Sequence, residues 1–158
     1  EATYKMEDIS TMERLYRWVA GMKMSPEEPW VGFGPGNFVN FYHSYTVTRF
    51  ETYVSDNPEQ SGIHSYFLMT LVEQGIIGLL IFLLFNFFLL IRGEQIYHAT
   101  EDRVQKGIVM SALLCLVVIN VFLLINDLIE TDKVGPFFFM SAALLLNIDQ
   151  QNRAKRTA

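Results

Sequence analysis

Residues 75–91, GIIGLLIFLLFNFFLLI, run for seventeen positions without a charge, and Asn86 is the one strongly polar side chain among them. Residues 66–72 extend the run backwards, interrupted only by Glu73 and Gln74. At about 1.5 Å per helical residue the whole stretch is long enough to cross a bilayer core. A soluble helix of this length would need a polar face, and this one has none. The chain therefore reads as a membrane protein whose chemistry happens at or beside lipid.

Two further apolar runs follow. Residues 108–125, IVMSALLCLVVINVFLLI, are broken only by Ser111 and Asn120. Residues 134–148, VGPFFFMSAALLLNI, are short for a span and carry Pro136 near their start, where a helix tolerates proline. The expected fold class is all-α: a polytopic integral membrane protein in which a helical loop, residues 1–65, precedes about three transmembrane helices within residues 66–158. The spans are expected at about 66–91, 108–125 and 134–148. Asn86 and Asn120 are expected to hydrogen-bond between helices. The chain opens on Glu1 with no basic segment and short apolar core behind it, so no signal peptide is read. It is expected to be part of a longer polytopic protein.

Lys and Arg set the orientation. The tail carries Arg153, Lys155 and Arg156, and residues 92–107 add Arg92, Arg103 and Lys106. Both are expected in the cytoplasm. Residues 126–133 hold one base, Lys133, beside Asp127, Glu130 and Asp132, and are expected outside. Three crossings then put residues 1–65 outside as well, in the periplasm of a cell that has one. No basic stripe suggests nucleic acid. The single cysteine, Cys115, excludes an intrachain disulfide, and His43, His64 and His98 lack metal-ligand spacing. Neither metal nor cofactor is expected.

Within the outer segment, residues 10–23 read as a helix. Ser10 and Glu13 match the S-x-x-E capping box. Met12, Leu15, Tyr16, Val19 and Met22 repeat at helical spacing, and Ser25-Pro26 marks the end. Met12, Leu15 and Val19 are expected to pack the helix onto the membrane-facing side of the loop, with Arg14 directed at the cavity. Residues 55–62, SDNPEQSG, read as a loop.

The candidate functional residues lie in this segment. Arg14 and Arg17 sit three apart on one helix, with Trp18 beside them. A guanidinium grips a phosphate through two N–H bonds, and an aromatic can stack on a sugar. The plainer reading is that both arginines face solvent or pair with acids such as Glu13. Gly32-Phe33-Gly34-Pro35-Gly36 lacks the lysine of a P-loop. It is a structural turn by default, and the sharper alternative is a turn whose Gly34 and Gly36 amides face a phosphate. His64, where the loop re-enters the membrane, suits proton transfer, although a lone histidine is more often structural. Glu73 would suffer in lipid and would be favoured in a helix N-terminal turn.

The order of these pieces resembles a known family. R-x-x-x-W stands at residues 14–18, P-W-V-G-F-G-P-G-N-F at 29–38, H-S-Y-F-L at 64–68, and E-Q-G-I-I-G at 73–78 running into a span. The set resembles the C-terminal part of the O-antigen ligase and Wzy-type polymerase superfamily. Motifs cover about residues 11–82, and hydropathy continues the likeness to the end.

The resemblance implies a multi-pass enzyme of the bacterial inner membrane with a large periplasmic loop. Such enzymes transfer a glycan from undecaprenyl diphosphate to an acceptor sugar hydroxyl. The acceptor is lipid A core for a ligase and another lipid-linked repeat unit for a polymerase. No nucleotide sugar or metal is implied for the ligase type. Loop arginines would hold the diphosphate, and a loop histidine would act at the acceptor or leaving group. Arg14 matches the family arginine four before the tryptophan, whereas Arg17 has no such match and stands second. His64 matches the histidine of H-N-x-x-L, with Ser65 where asparagine is usual. A second family arginine would lie upstream of Glu1, so this chain alone is expected to be inactive. The rival reading is a non-catalytic membrane subunit of a polysaccharide export or scaffold complex. A channel is disfavoured by the lack of charged residues within the spans.

Overall fold

A computed structural model describes residues 2–46, 57 and 60–157, with side chains described over 11–46, 57 and 60–155. Of the loop read at residues 55–62, positions 55, 56, 58 and 59 lie outside the described residues. Among the described residues the fold is all helical: α1 (Ala2–Met24), α2 (Phe38–Tyr42), α3 (Tyr66–Ala99), α4 (Arg103–Phe122) and α5 (Gly135–Thr157). Short 3-10 turns occupy His43–Tyr45 and Leu128–Glu130. The chain divides into two compact units, Glu1–Leu80 with Leu124–Asp127, and Ile81–Leu123 with Leu128–Ala158.

In the first unit α1 ends at Met24, directly before Ser25-Pro26, as the sequence predicts. Its start does not follow the prediction. The helix begins at Ala2, so Ser10 is interior rather than a cap, and Glu13 reaches forward to Arg17 instead of back. The buried stripe is also different. Arg17, Ala20, Gly21 and Met24 face the core, while Met12 and Leu15 are 42% and 50% exposed and Val19 is half-buried. At 100° per residue these are opposite faces of the helix. Apolar periodicity misleads here because the inward face is built from small residues and one buried guanidinium. Gly21 lets the Ile63 and Leu68 side chains approach within 3.4 Å of where its Cβ would be. Ala20, Met24, Phe38, Tyr42, Ile63 and Val72 form the core of this unit.

α3 contains a break. Gly75 has φ 67° and ψ −169°, a backbone state open essentially to glycine alone. A break in a helix orphans carbonyls before it and amides after it. The loop between α1 and α2 satisfies both sets. Phe33 and Gly34 donate their amides to the carbonyls of Val72 (3.0 Å) and Glu73 (2.8 Å), and the amides of Ile76 and Ile77 donate to Pro29 (2.8 Å) and Trp30 (3.4 Å). The Glu73 carboxylate, 4% exposed, accepts from the amides of Gly36 (2.8 Å) and Phe38 (3.1 Å). Glu73 therefore neither faces lipid nor sits in a helix-starting turn; it is the anchor of the glycine loop. That loop can lie so close only because residue 32 lacks a side chain, since a Cβ there would stand 2.4 Å from the Glu73 carbonyl carbon.

In the second unit α4 starts at an N-cap, with Asp102 Oδ1 accepting from the Val104 amide at 2.7 Å. The helices do not keep the expected bounds: residues 92–99 continue α3, only residues 100–102 separate it from α4, and α4 ends at Phe122, three residues short of the span expected at 108–125. The Leu113 and Leu145 side chains fill the place where a Gly93 side chain would be. Asn86 and Asn120 do not bridge helices; each donates to the carbonyl four residues back on its own helix, Phe82 and Leu116, at 2.9 Å. Among the described residues two helices, Tyr66–Ala99 and Arg103–Phe122, are long and apolar enough to cross a membrane. α5 carries an apolar first half and a polar second half.

Candidate functional site

α1 places Arg17 inside the first unit, 1% exposed. A buried guanidinium must be paired, and this one is paired on both terminal nitrogens. One terminal nitrogen, Nη1, donates to His64 Nε2 at 2.5 Å. The other, Nη2, donates to Glu13 Oε1 at 2.6 Å and to Asn57 Oδ1 at 3.0 Å. Its Nε is buried with no partner among the described residues.

His64 is held by its backbone as well as its ring. Its φ of 57° is left-handed, uncommon for a residue with a side chain and a mark of positions that the surroundings enforce. The Trp18 indole donates to its carbonyl at 3.4 Å. On the ring's other side Nδ1 lies 3.8 Å from Asp127 Oδ1. Asp127 reaches this position because Gly62 leaves room: a Cβ at 62 would stand 2.2 Å from Asp127 Oδ2. The amide of Tyr66 donates to the Asn126 carbonyl at 3.2 Å, fixing the same segment against the start of α3.

Burial pushes the His64 pKa below the ordinary histidine value. Asp127 and Glu13 oppose the shift, and the Arg17 and Arg14 cations add to it. Because Nε2 accepts from a guanidinium, the neutral ring carries its proton on Nδ1, toward Asp127. The arrangement is a neutral imidazole between a buried cation and a carboxylate. Such a ring can take a proton at Nε2 once Nε2 is free, and the resulting imidazolium would have Asp127 beside it.

Arg14 is half-buried one turn before Arg17, close enough for its charge to act on His64. No described residue hydrogen-bonds its guanidinium. The structure therefore brings together His64, Arg17 and Trp18, with Arg14 at the edge. Arg17, ranked behind Arg14 from sequence, is the arginine that touches His64. Gly34 and Gly36 lie elsewhere in the unit, and their amides are engaged by Glu73, the first through its carbonyl and the second through its carboxylate. In this state neither amide is open to a phosphate. Sequence reasoning missed Asn57 and Asp127. They lie 40 and 110 positions from Arg17, and no local pattern links them. The one local signal was Glu13, four before Arg17, the spacing of a helical ion pair.

A family model described as O-antigen ligase matches residues 2–83, more than half of the chain. No curated protein and no solved structure matches it.

Proposed function

We propose that this chain, which belongs to the O-antigen ligase family, takes part in transferring a glycan from undecaprenyl diphosphate to an acceptor sugar hydroxyl, in cell-surface polysaccharide biosynthesis. The observation that carries this reading is the Arg17–His64 bond with Arg14 one turn away. Two guanidinium groups and a neutral imidazole are what such a transfer needs. The diphosphate of the donor engages Arg14 and Arg17. As Arg17 turns to the phosphate, His64 Nε2 loses its hydrogen bond and its lone pair becomes available. The acceptor hydroxyl gives its proton to Nε2, and its oxygen bonds the anomeric carbon. The bond from that carbon to the diphosphate oxygen breaks, and its electron pair stays on the diphosphate. The guanidinium groups stabilise that growing charge. Asp127 holds the imidazolium that forms.

Two span-length helices and the family make the chain a membrane protein. We assign it to the bacterial inner membrane, with α5 as a third crossing and with residues 1–65 and 126–133 in the periplasm. The support is the placement of Arg92, Arg103, Lys106, Arg153, Lys155 and Arg156. Cysteines introduced at Lys133 and Lys155, with Cys115 replaced, test this. Labelling of position 155 but not 133 by an impermeant reagent in intact cells would overturn it. The donor is a lipid-linked glycan, and the acceptor is lipid A core or a second lipid-linked glycan.

The deciding experiment is transfer from an undecaprenyl-diphosphate donor by the full-length protein in reconstituted membranes. His64→Ala and Arg14→Ala should each lower transfer by at least about two orders of magnitude with abundance unchanged. Wild-type activity in both would remove His64 and Arg14 from the mechanism, and no transfer by the unsubstituted protein would favour the non-catalytic subunit instead.

A further inference from the structure

In the second unit α3 and α5 meet around Asp149. Arg92 grips its carboxylate through Nε at 3.2 Å and Nη2 at 2.8 Å, and sends Nη1 to Gln95 Oε1 at 2.8 Å. Arg153 approaches the same carboxylate at 3.1 Å while remaining 67% exposed. Two cations thus share this carboxylate, and the Arg153 guanidinium stands at the surface. Asp149 is saturated by the two, so an incoming anion would meet Arg153 rather than a bare carboxylate.

A cavity of about 400 Å³ opens beside this cluster. One wall is polar, made by Arg92, Gln95, Arg153 and the Asp149 carboxylate that the two arginines hold, and the other is made by Phe88, Ile91 and Leu146. Those three apolar side chains are 54%, 56% and 45% exposed. Phe88 lies one turn before Arg92 on α3, and Leu146 two turns before Arg153 on α5. The lining therefore changes from hydrocarbon to guanidinium within about 6 Å on α3 and about 10 Å on α5. That is the change a lipid makes between acyl chain and headgroup, at the level where a span leaves the hydrocarbon core. The charge has the matching sign. Around the α3–α4 connection, residues 92–107 carry Arg92, Arg103 and Lys106 against Glu94, Glu101 and Asp102, and the end of α5 adds Arg153, Lys155 and Arg156 against Asp149, so bases are in excess; the α4–α5 connection carries Asp127, Glu130 and Asp132 against Lys133.

We propose that this cavity binds one anionic phospholipid, its phosphate at Arg153 and Arg92 and its acyl chain along Phe88, Ile91 and Leu146. Basic clusters at the cytoplasmic ends of spans are attracted to anionic lipids in this way. The site is separate from the transfer chemistry proposed above and rests only on the orientation assigned with it.

Native mass spectrometry of the full-length protein, released from detergent, tests the proposal with three probes: phosphatidylglycerol, phosphatidylcholine of the same chain length, and inorganic phosphate. Phosphatidylglycerol should be retained and phosphatidylcholine should not. Arg153→Gln should weaken phosphatidylglycerol about fivefold, the effect of one basic residue at a lipid surface. Arg153→Lys should keep most of the affinity. Arg153 is exposed, so neither change should alter the melting temperature; Leu146→Gln, on the apolar wall, is the second variant and should also weaken retention. Equal retention of the two lipids would overturn the proposal, as would unchanged retention in both Arg153→Gln and Leu146→Gln. Displacement of phosphatidylglycerol by millimolar phosphate would make the cluster a free-anion site and would also overturn it.

Discussion

Arg17 donates to Nε2 of His64 at 2.5 Å across 47 residues of sequence, so the nitrogen best placed to accept a proton is already occupied. The resting imidazole is neutral and capped. A ligand that draws the guanidinium away uncaps it. In the proposed reaction the diphosphate of the donor is that ligand, which couples donor binding to activation of the acceptor.

Arg17→Ala should then do two opposite things. It uncovers Nε2 permanently and removes a cation from the leaving group. The second effect should dominate, lowering transfer by about two orders of magnitude, on the order of 3 kcal/mol, as for other preorganised donors. Arg17→Lys should remain poor, because a point charge does not reproduce a planar fork. His64→Ala should slow transfer by about 10²–10⁴-fold with little change in donor affinity. Donor binding and turnover measured separately check both. If Arg17→Ala retains full turnover, Arg17 has no role in the chemistry.

The depressed pKa of His64 predicts the pH profile. The groups facing the ring are Arg17, Arg14 and Glu13 from α1, and Asp127 from the α4–α5 connection. A general base works when neutral, so transfer should be flat above about 6.5 and fall only at lower pH. The stability sign agrees. A folded pKa below the unfolded one means that the unfolded chain takes the proton first. The contribution of the neutral ring is fully present above about 6.5 and is lost as pH falls through the window down to the lower folded value. NMR titration of the His64 ring should place its pKa below the ordinary histidine value of about 6.5, and Arg17→Gln should move it up. A His64 pKa above about 6.5 would contradict this.

What could be read in the sequence follows from the range of each signal. The long apolar runs of α3 and α4 are legible because bilayer-length hydrophobicity is a local property. The end of α1 is legible because Ser25-Pro26 acts locally. The buried face of α1 is not legible, because its inward residues are Ala20, Gly21 and a charge, and the apolar stripe lies opposite. Asp127 cannot be found without coordinates, since Gly62 makes room for it from 65 positions away. The role of Glu73 is hidden for the same reason. Its partners, the Gly36 and Phe38 amides, belong to another motif, and only the fold shows that the two motifs interlock.

Glu73→Ala tests that interlock. Removing the carboxylate leaves the buried Phe38 amide and the part-buried Gly36 amide without an acceptor, at about 1–3 kcal/mol each for a buried group. A loss near 3 kcal/mol is expected, with Glu73→Gln milder because its amide oxygen still accepts. Because α2 packs through Phe38 and Tyr42 onto Ala20 and Met24 of the helix that carries Arg17, transfer should fall along with the melting temperature. A Glu73→Ala protein that melts like wild type would show that the carboxylate does not anchor the loop.

Gly75→Ala should be the most damaging small substitution in this unit. The residue combines φ of 67° with ψ of −169°, and an added Cβ would stand 2.3 Å from the carbonyl carbon and oxygen of Trp30. Those are backbone atoms, and the Trp30 carbonyl is itself tied to the Ile77 amide, so the clash cannot be relieved by a rotamer change. Backbone strain alone costs about 1–3 kcal/mol, and loss of the stitched hydrogen bonds would add to it. Gly36→Ala is the matched comparison. Its φ is also positive, at 74°, but nothing lies within 4 Å of the added Cβ. It should cost only the left-handed penalty, about 1–2 kcal/mol. Thermal unfolding of both variants in the same detergent separates close approach from φ strain. If Gly75→Ala melts no lower than Gly36→Ala, the loop does not press against the break in α3 as described.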